Sequence, residues 1–357
     1  MIPKPADFRY LLASMRLVRP IAAACRSLAL VAIGALLPCV AARAQTDEPS
    51  NASPALVALD QSIRQQSYTI EQVRRFFDAK GGVTSVRERL QVAANGSSAP
   101  DFAMTFLGVV GEPAGSALHT QWQQTYARHG RRFATQGSFR VTNLDSADSN
   151  YTAHDFGPTV RAGRSARRFV VFPNAVDKSI WLIETDDATA VPLYVAEFDV
   201  HVQLLAEVEA TLFTPGAAPL APQATTAAVV ADFQAARAAM GNPPELVDPP
   251  TGVTDEYQLD RVEVQNEPLN GQWKLTMTYT DGIDQFVVVQ APGTTDSFAT
   301  LPGKTRGAPV IGRYRDAAMS VLVFWEGGVS FQVAGRGSLR RLDALARTIY
   351  RHALHTH

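Results

Sequence analysis

The chain has 357 residues, 46% apolar and 19% charged, with a formal net charge of −1 and two cysteines. That length supports one large or two modest domains with buried cores, and the charge lacks the basic excess that a nucleic-acid binder uses to neutralise phosphates. Setting residues 1–44 apart removes six of the 33 basic residues and one of the 34 acidic ones, leaving a mildly acidic remainder of 27 against 33.

Those first residues read as a secretory signal. Arg16, Arg19 and Arg26 form a positive region, Leu28–Leu37 is apolar, and Ala42-Arg43-Ala44 is a small-x-small cleavage site before Gln45. Met15 is the natural start of a signal of ordinary length. The apolar run is well short of the roughly 20 residues that span a bilayer, so a periplasmic product with no stable membrane span is expected. A lipid anchor at Cys39 is disfavoured, because Pro38 precedes it where a small residue is needed. Cleavage after Ala44 also removes Cys25 and Cys39, leaving no thiol for a disulfide or metal site.

After a polar start over 45–53, Leu56, Leu59 and Ile63 lie on one helix face. Ile70, Val73, Phe76 and Phe77 predict a second helix over Tyr68–Ala79, stopped by Gly81-Gly82. From Asp101 the period becomes two, through Phe102, Met104 and Phe106, then Leu118, Thr120, Trp122, Gln124 and Tyr126, then, after a break at His129-Gly130, Arg131–Val141, which predicts antiparallel strands. Two further strand pairs are expected, at Arg167–Pro173 with Ser179–Thr185, and at Leu193–Val200 with Leu204–Phe213.

Thr214–Thr226, with three prolines and no aromatic, has linker composition. Ala227–Met240 predicts a short Ala-rich helix, and Gly241–Pro250 another Pro-rich connection. Strands resume at Tyr257–Gln265, Gln272–Tyr279, Gln285–Gln290, Ala317–Trp325 and Val329–Ala334. Turns are marked by Asp281-Gly282 and by Glu326-Gly327-Gly328. Leu339, Leu342, Leu345, Ala346, Ile349 and Tyr350 give a closing helix one apolar face, with Ser338 placed to cap it.

No common catalytic or metal signature is present: no Gly-x-Ser-x-Gly elbow, no His-Glu-x-x-His helix, no phosphate-binding Gly loop and no paired-cysteine site. His352, His355 and His357 form a terminal tail that cannot hold ligands rigidly. Neither metal nor cofactor is therefore expected. Glu184 and Asp186 are the carboxylates an exported hydrolase with dispersed catalytic residues would use; a solvated strand end is the plainer reading.

Two other groups point to binding. Phe102, Met104, Phe106, Trp122, Tyr126, Phe169, Val171, Trp181, Ile183, Tyr194 and Phe198 supply an apolar sheet face, which is packed core if helices cover it and a groove for acyl chains if they do not. Arg131, Arg132, Arg164, Arg167 and Arg168 are candidates for contact with an anionic partner.

The segment Val160–Phe213 carries a resemblance. Arg161-Ala162-Gly163-Arg164 precedes a strand, and Ile180–Asp186 followed by Val191-Pro192-Leu193-Tyr194 resembles a characteristic hairpin of the RseB/MucB-type periplasmic regulators of the envelope-stress sigma factor. Glu197-Phe198-Asp199 leading into Leu205–Glu209 resembles the next strand pair. Ser320–Phe331 and Gly335–Tyr350 resemble the closing hairpin and helix. In that family the N-terminal domain is similar to the lipoprotein carrier LolA. The resemblance implies an α+β protein: a curved antiparallel half-barrel with N-terminal helices over 54–213, a linker and short helix over 214–240, and a smaller β-rich domain ending in a helix over 241–357. It further implies a non-enzymatic binder of a lipid or lipoprotein acyl chain, or of the periplasmic segment of an anti-sigma factor. A structural subunit of an envelope complex is the alternative in which every apolar residue is core.

Overall fold

The computed structural model describes residues 53–77, 82–136, 139–176, 178–216, 220, 227–248, 256–267, 272–293, 312–316, 319–336 and 339–356. The expected signal, both cysteines, most of the Thr214–Thr226 linker and Ser338 lie outside these residues.

Helix α1 (Pro54–Gln65) starts with proline at its first turn, where no N–H is needed. It buries Leu56, Leu59 and Ile63 and carries an Asp60–Arg64 pair one turn apart. Strands β1 (Tyr68–Phe77), β2 (Val83–Ala93) and β3 (Asp101–Val109) follow, then α2 (Ala117–Gln136) and α3 (Leu144–Asn150). Five more strands complete the first sheet: β4 (Tyr151–Arg161), β5 (Arg164–Pro173), β6 (Ile180–Asp186), β7 (Pro192–Phe198) and β8 (Leu204–Pro215). The order is β3-β2-β1-β8-β7-β6-β5-β4 with antiparallel neighbours, so the last strand returns beside the first. Register shifts at Glu71/Gln72, Arg87/Glu88, Asp155/Gly157, Glu184/Thr185 and Glu197/Phe198 bend the open sheet.

The second sheet holds β9 (Ala227–Val230), β10 (Gln258–Glu267), β11 (Gln272–Thr280), β12 (Gln285–Pro292), β13 (Gly312–Asp316), β14 (Met319–Glu326) and β15 (Val329–Gly335), in the order β13-β14-β15-β12-β11-β10-β9. Helix α4 (Phe233–Ala239) packs on β9 and β10, and α5 (Leu339–Thr356) on β14 and β15. Leu342, Leu345, Ala346 and Ile349 are the buried stripe of α5, as their spacing predicts. The expected hairpin at Glu326-Gly327-Gly328 joins β14 to β15, with both glycines at positive φ.

The architecture is α+β with an open antiparallel sheet, as expected, but several elements differ. Tyr68–Phe77 is a strand, not a helix: Tyr68, Ile70, Gln72, Arg74 and Phe76 face inward, and the two polar members hide the period of two. Residues 117–136 form a helix, not strands, because Leu118, Trp122 and Tyr126 are four apart and fit one helix face as well as alternate strand positions. Ala227–Val230 is a strand of the second sheet, and the helix expected over Ala227–Met240 occupies only Phe233–Ala239. Strands β2, β4 and β13 and helix α3 carry no signal recognised above.

Candidate functional site

The inner face of the first sheet divides into three clusters. Leu56 and Leu59 of α1 and Ala147 of α3 pack on Val171, Trp181, Ile183 and Val195. Ile70, Leu90, Val92, Leu193 and Phe213 form a second cluster, with Phe102 and Met104 at its margin. Phe76, Val86, Val109, Tyr126 and Phe133 form the third, where α2 covers β1–β3 and Phe106 and Trp122 lean against it. Trp122 stacks on Phe76 with ring centres 4.5 Å apart. The expected apolar residues are therefore spread over several clusters. Phe169 is buried opposite Ile183, and Phe198 is buried opposite Ile180.

Where the first and second clusters meet, beside the end of α1, lies a cavity of about 40 Å³, lined among others by Ser62, Ile63, Tyr68, Leu90, Arg140 and Leu193. Tyr194 is the one expected groove residue on its wall. Since about 10–15 Å³ of such space holds one water molecule, this cavity fits a small polar group and takes an acyl chain only if the helices shift. Arg140 is the unexpected member. It is 8% exposed and its guanidinium carbon lies 5.6 Å from the centre of the Phe102 ring. Burial lowers its pKa; the Tyr68 phenol opposes that, and the charges of Arg261 and Arg336 lower it further. Burial raises the pKa of Tyr68, while Arg140 restrains it. Arg140 follows Phe139 in a segment that reads as a strand, so nothing in the sequence marks it.

Beneath α2 a buried polar network is complete. Glu88 is fully buried and accepts from Arg74 Nη2 at 2.8 Å, from Gln72 Nε2 at 2.5 Å and from the Tyr126 hydroxyl. Burial, then the Glu88 charge, pushes the Tyr126 phenol well above its ordinary value. The network fastens α2 to β1 and β2.

The opposite face carries an ionic lattice. Glu184 is 1% exposed at its side chain and is met by Arg161 and Arg168, both at 2.6 Å. Arg161 also reaches Glu209 at 2.6 Å, and Arg75 bridges Glu207 and Glu209 at 3.0 Å. Arg164 pairs with Asp186 at 2.5 Å, and Arg167 with Asp155 at 2.7 Å. Burial works to raise Asp186, but hydrogen bonds from Arg164 and Thr189 hold it below its ordinary value. Of the arginines expected to meet an anionic partner, Arg164, Arg167 and Arg168 thus have carboxylates of this chain beside them, while Arg131 and Arg132 fall on α2. Glu184 and Asp186, the carboxylates considered for hydrolysis, are engaged by guanidinium groups.

The two sheets meet at the β11–β12 turn, Asp281-Gly282-Ile283-Asp284. Ile283 enters the cluster formed by α1, α3 and β5–β7. The Gly282 carbonyl accepts from Thr142 N at 2.8 Å, and the Asp281 carbonyl from Asn150 Nδ2 at 2.9 Å. Tyr151 donates its hydroxyl to Asp281 Oδ2 at 2.9 Å. The occupied space under α1 is thereby in direct contact with a turn of the second sheet.

Among the described residues, no helix is long and apolar enough to cross a membrane. No protein-family model matches the chain, and no curated protein matches it. Among solved structures, MucB in complex with MucA(peri) is similar over 83% of this chain and 97% of its own, at 18% identity and a TM-score of 0.44. The MucA/MucB complex of Pseudomonas aeruginosa is similar over 85% and 97%, at 19% identity and 0.44. A putative outer membrane lipoprotein-sorting protein domain from Vibrio parahaemolyticus is similar over 46% and 93%, at 10% identity and 0.23.

Proposed function

We propose that this chain is a non-enzymatic periplasmic binding protein that takes up a lipid-like amphiphile under α1 and α2 and regulates an anti-sigma factor. The first sheet, over Pro54–Phe213, is the ligand-binding domain. The second, over Gly241–His357 together with strand β9, is the domain that contacts the partner's periplasmic segment. One observation carries the reading: the helix-covered face is not one continuous core but separate clusters with a cavity at their seam. A seam between clusters under different covering helices can open without unfolding the sheet, and Ile283 of the second sheet packs in the cluster whose Phe139 and Val195 line the cavity. The sequence resemblance of Val160–Phe213 and Ser320–Tyr350 supports the anti-sigma partner.

The test is native mass spectrometry of the protein exported by its own leader and purified without detergent. An acyl-chain adduct that laurate displaces is expected. Ligand-free protein that also fails to take up a fluorescent fatty acid would overturn the reading. For the partner, the periplasmic segment of a single-span anti-sigma factor from the same genome should be retained by the full chain and lost on removal of residues 241–357.

A further inference from the structure

The cavity holds a cation with no carboxylate paired to it among the described residues. Among the described residues no carboxylate pairs with Arg140, which is nine-tenths buried and lines the cavity beside Tyr68. Its charged neighbours are of its own sign. Arg261 of β10 is paired with Glu263 at 2.7 Å but keeps a buried Nε without a hydrogen bond. Arg336, after β15, sits over the Trp181 ring at 5.1 Å and reaches Glu197 at 3.6 Å. Both add their charge to the field at Arg140. A guanidinium largely withdrawn from water with no carboxylate beside it is held at a cost, and like charges raise that cost. Other buried cations among the described residues face a carboxylate: Arg74 has Glu88, and Lys178 has Asp281. Arg140 therefore stands apart as a position that an incoming anion would stabilise.

We propose that Arg140, with Tyr68, forms the head-group site of the cavity and receives the carboxylate of a fatty-acid-like amphiphile. The carboxylate is the anion that fits. It is planar and matches the guanidinium fork with two parallel hydrogen bonds, and a cavity of about 40 Å³ accommodates a group of that size. The Tyr68 hydroxyl supplies a further donor. Ile63, Leu90 and Leu193 give the same cavity an apolar wall beside this site, against which the tail would lie. Because Arg261 lies in β10 and Arg336 directly follows β15, a bound anion also relieves repulsion between the sheets and draws them together. This inference names the ligand class for the site proposed above and rests on that reading, although the head-group site itself does not require the tail.

Binding to the full mature chain is measured by calorimetry and by thermal shift, with sodium laurate, dodecyl phosphate, dodecanol, dodecyltrimethylammonium and inorganic phosphate as probes. Laurate is expected to bind best and to raise the melting temperature. Arg140→Met should weaken laurate by roughly 10- to 100-fold, the range for a lost charge-assisted hydrogen bond, while dodecanol binding stays unchanged. The ligand-free variant should melt at or above the parent, since it loses an unpaired buried charge. Should Arg140→Met fail to fold, Tyr68→Phe must still weaken laurate more than dodecanol. Equal binding of laurate and dodecyltrimethylammonium, or retention of the laurate effect in Arg140→Met, overturns the head-group assignment while leaving the lipid reading intact. Dodecyl phosphate binding better than laurate overturns the choice of carboxylate. A full effect from inorganic phosphate alone sinks the lipid reading and leaves only an anion site.

Discussion

Lys178 Nζ lies 2.6 Å from Asp281 Oδ2, and both side chains are withdrawn from solvent, at 1% and 0% exposure. The lysine comes from the loop before β6 and the aspartate from the turn after β11, so this ion pair joins the two sheets. Glu256 Oε2 lies 2.9 Å from the same ammonium, and Asp281 Oδ1 accepts from the backbone N–H groups of Ile283 and Asp284 at 3.1 and 2.8 Å. The aspartate therefore shapes its own turn and holds it against the first sheet.

Removing one partner of this pair should be far worse than removing both. Lys178→Met leaves Asp281 buried with its charge unmet and is expected to cost about 3–5 kcal/mol. Lys178→Met combined with Asp281→Asn should recover part of that loss. Urea titration of the single and double variants measures the coupling; additive losses would show that the pair does not act as a unit.

Gly282 is fixed by its neighbour, not only by its turn. Its φ is +106°, and a Cβ added there would meet Ala147 N at 2.2 Å and the Asn143 carbonyl at 2.7 Å. Since backbone of α3 cannot yield as a side chain can, Gly282→Ala should destabilise by at least about 3 kcal/mol. The sheets should also separate, read as new proteolytic cleavage around Thr142 and Asn150. A variant with native protease resistance would show that α3 moves at little cost.

Burial, aided by the charge of Asp281, pushes the Asp284 carboxyl up to about 6 from an ordinary 3.8, even though Tyr257 donates to it at 2.6 Å. Between those two values the folded chain holds one proton more than the unfolded chain. The contribution of Asp284 is thus fully present below pH 3.8 and is lost as pH rises through about 6. The loss is on the order of 2–3 kcal/mol, at 1.36 kcal/mol per unit. Denaturant melts of the parent and Asp284→Asn across pH 4 to 7.5 should show this decline in the parent and not in the variant; parallel profiles would refute it.

Glu88 should be the most sensitive polar residue under α2. Glu88→Ala removes the carboxylate that faces Arg74, which is 2% exposed, and leaves the Gln72 amide and the Tyr126 hydroxyl without their acceptor. A loss of about 3–5 kcal/mol is expected. Glu88→Gln, which keeps an acceptor, should lose less. Hydrogen exchange should show α2 opening before the rest of the sheet.

What the sequence determines by itself are the features set by short-range chemistry. The Leu56–Leu59–Ile63 stripe of α1, the strands from Arg164 to Pro215, the Asp281-Gly282 and Gly327-Gly328 turns and the α5 stripe are legible because period and turn preference act within a few residues. So was an apolar sheet face needing cover. Tertiary structure decided where inward positions are polar. Gln72 and Arg74 break the alternation of β1 because their partner, Glu88, stands on the next strand, and only that pairing makes their burial affordable. It decided that Leu118, Trp122 and Tyr126 lie on a helix, since a spacing of four serves both periods. It also brought Arg140 to the cavity, Lys178 to Asp281 and Gly282 against Ala147. Charges and glycines of this kind take their meaning from contacts between residues dozens of positions apart, and more than a hundred for Lys178 with Asp281 and Ala147 with Gly282, which no local pattern encodes.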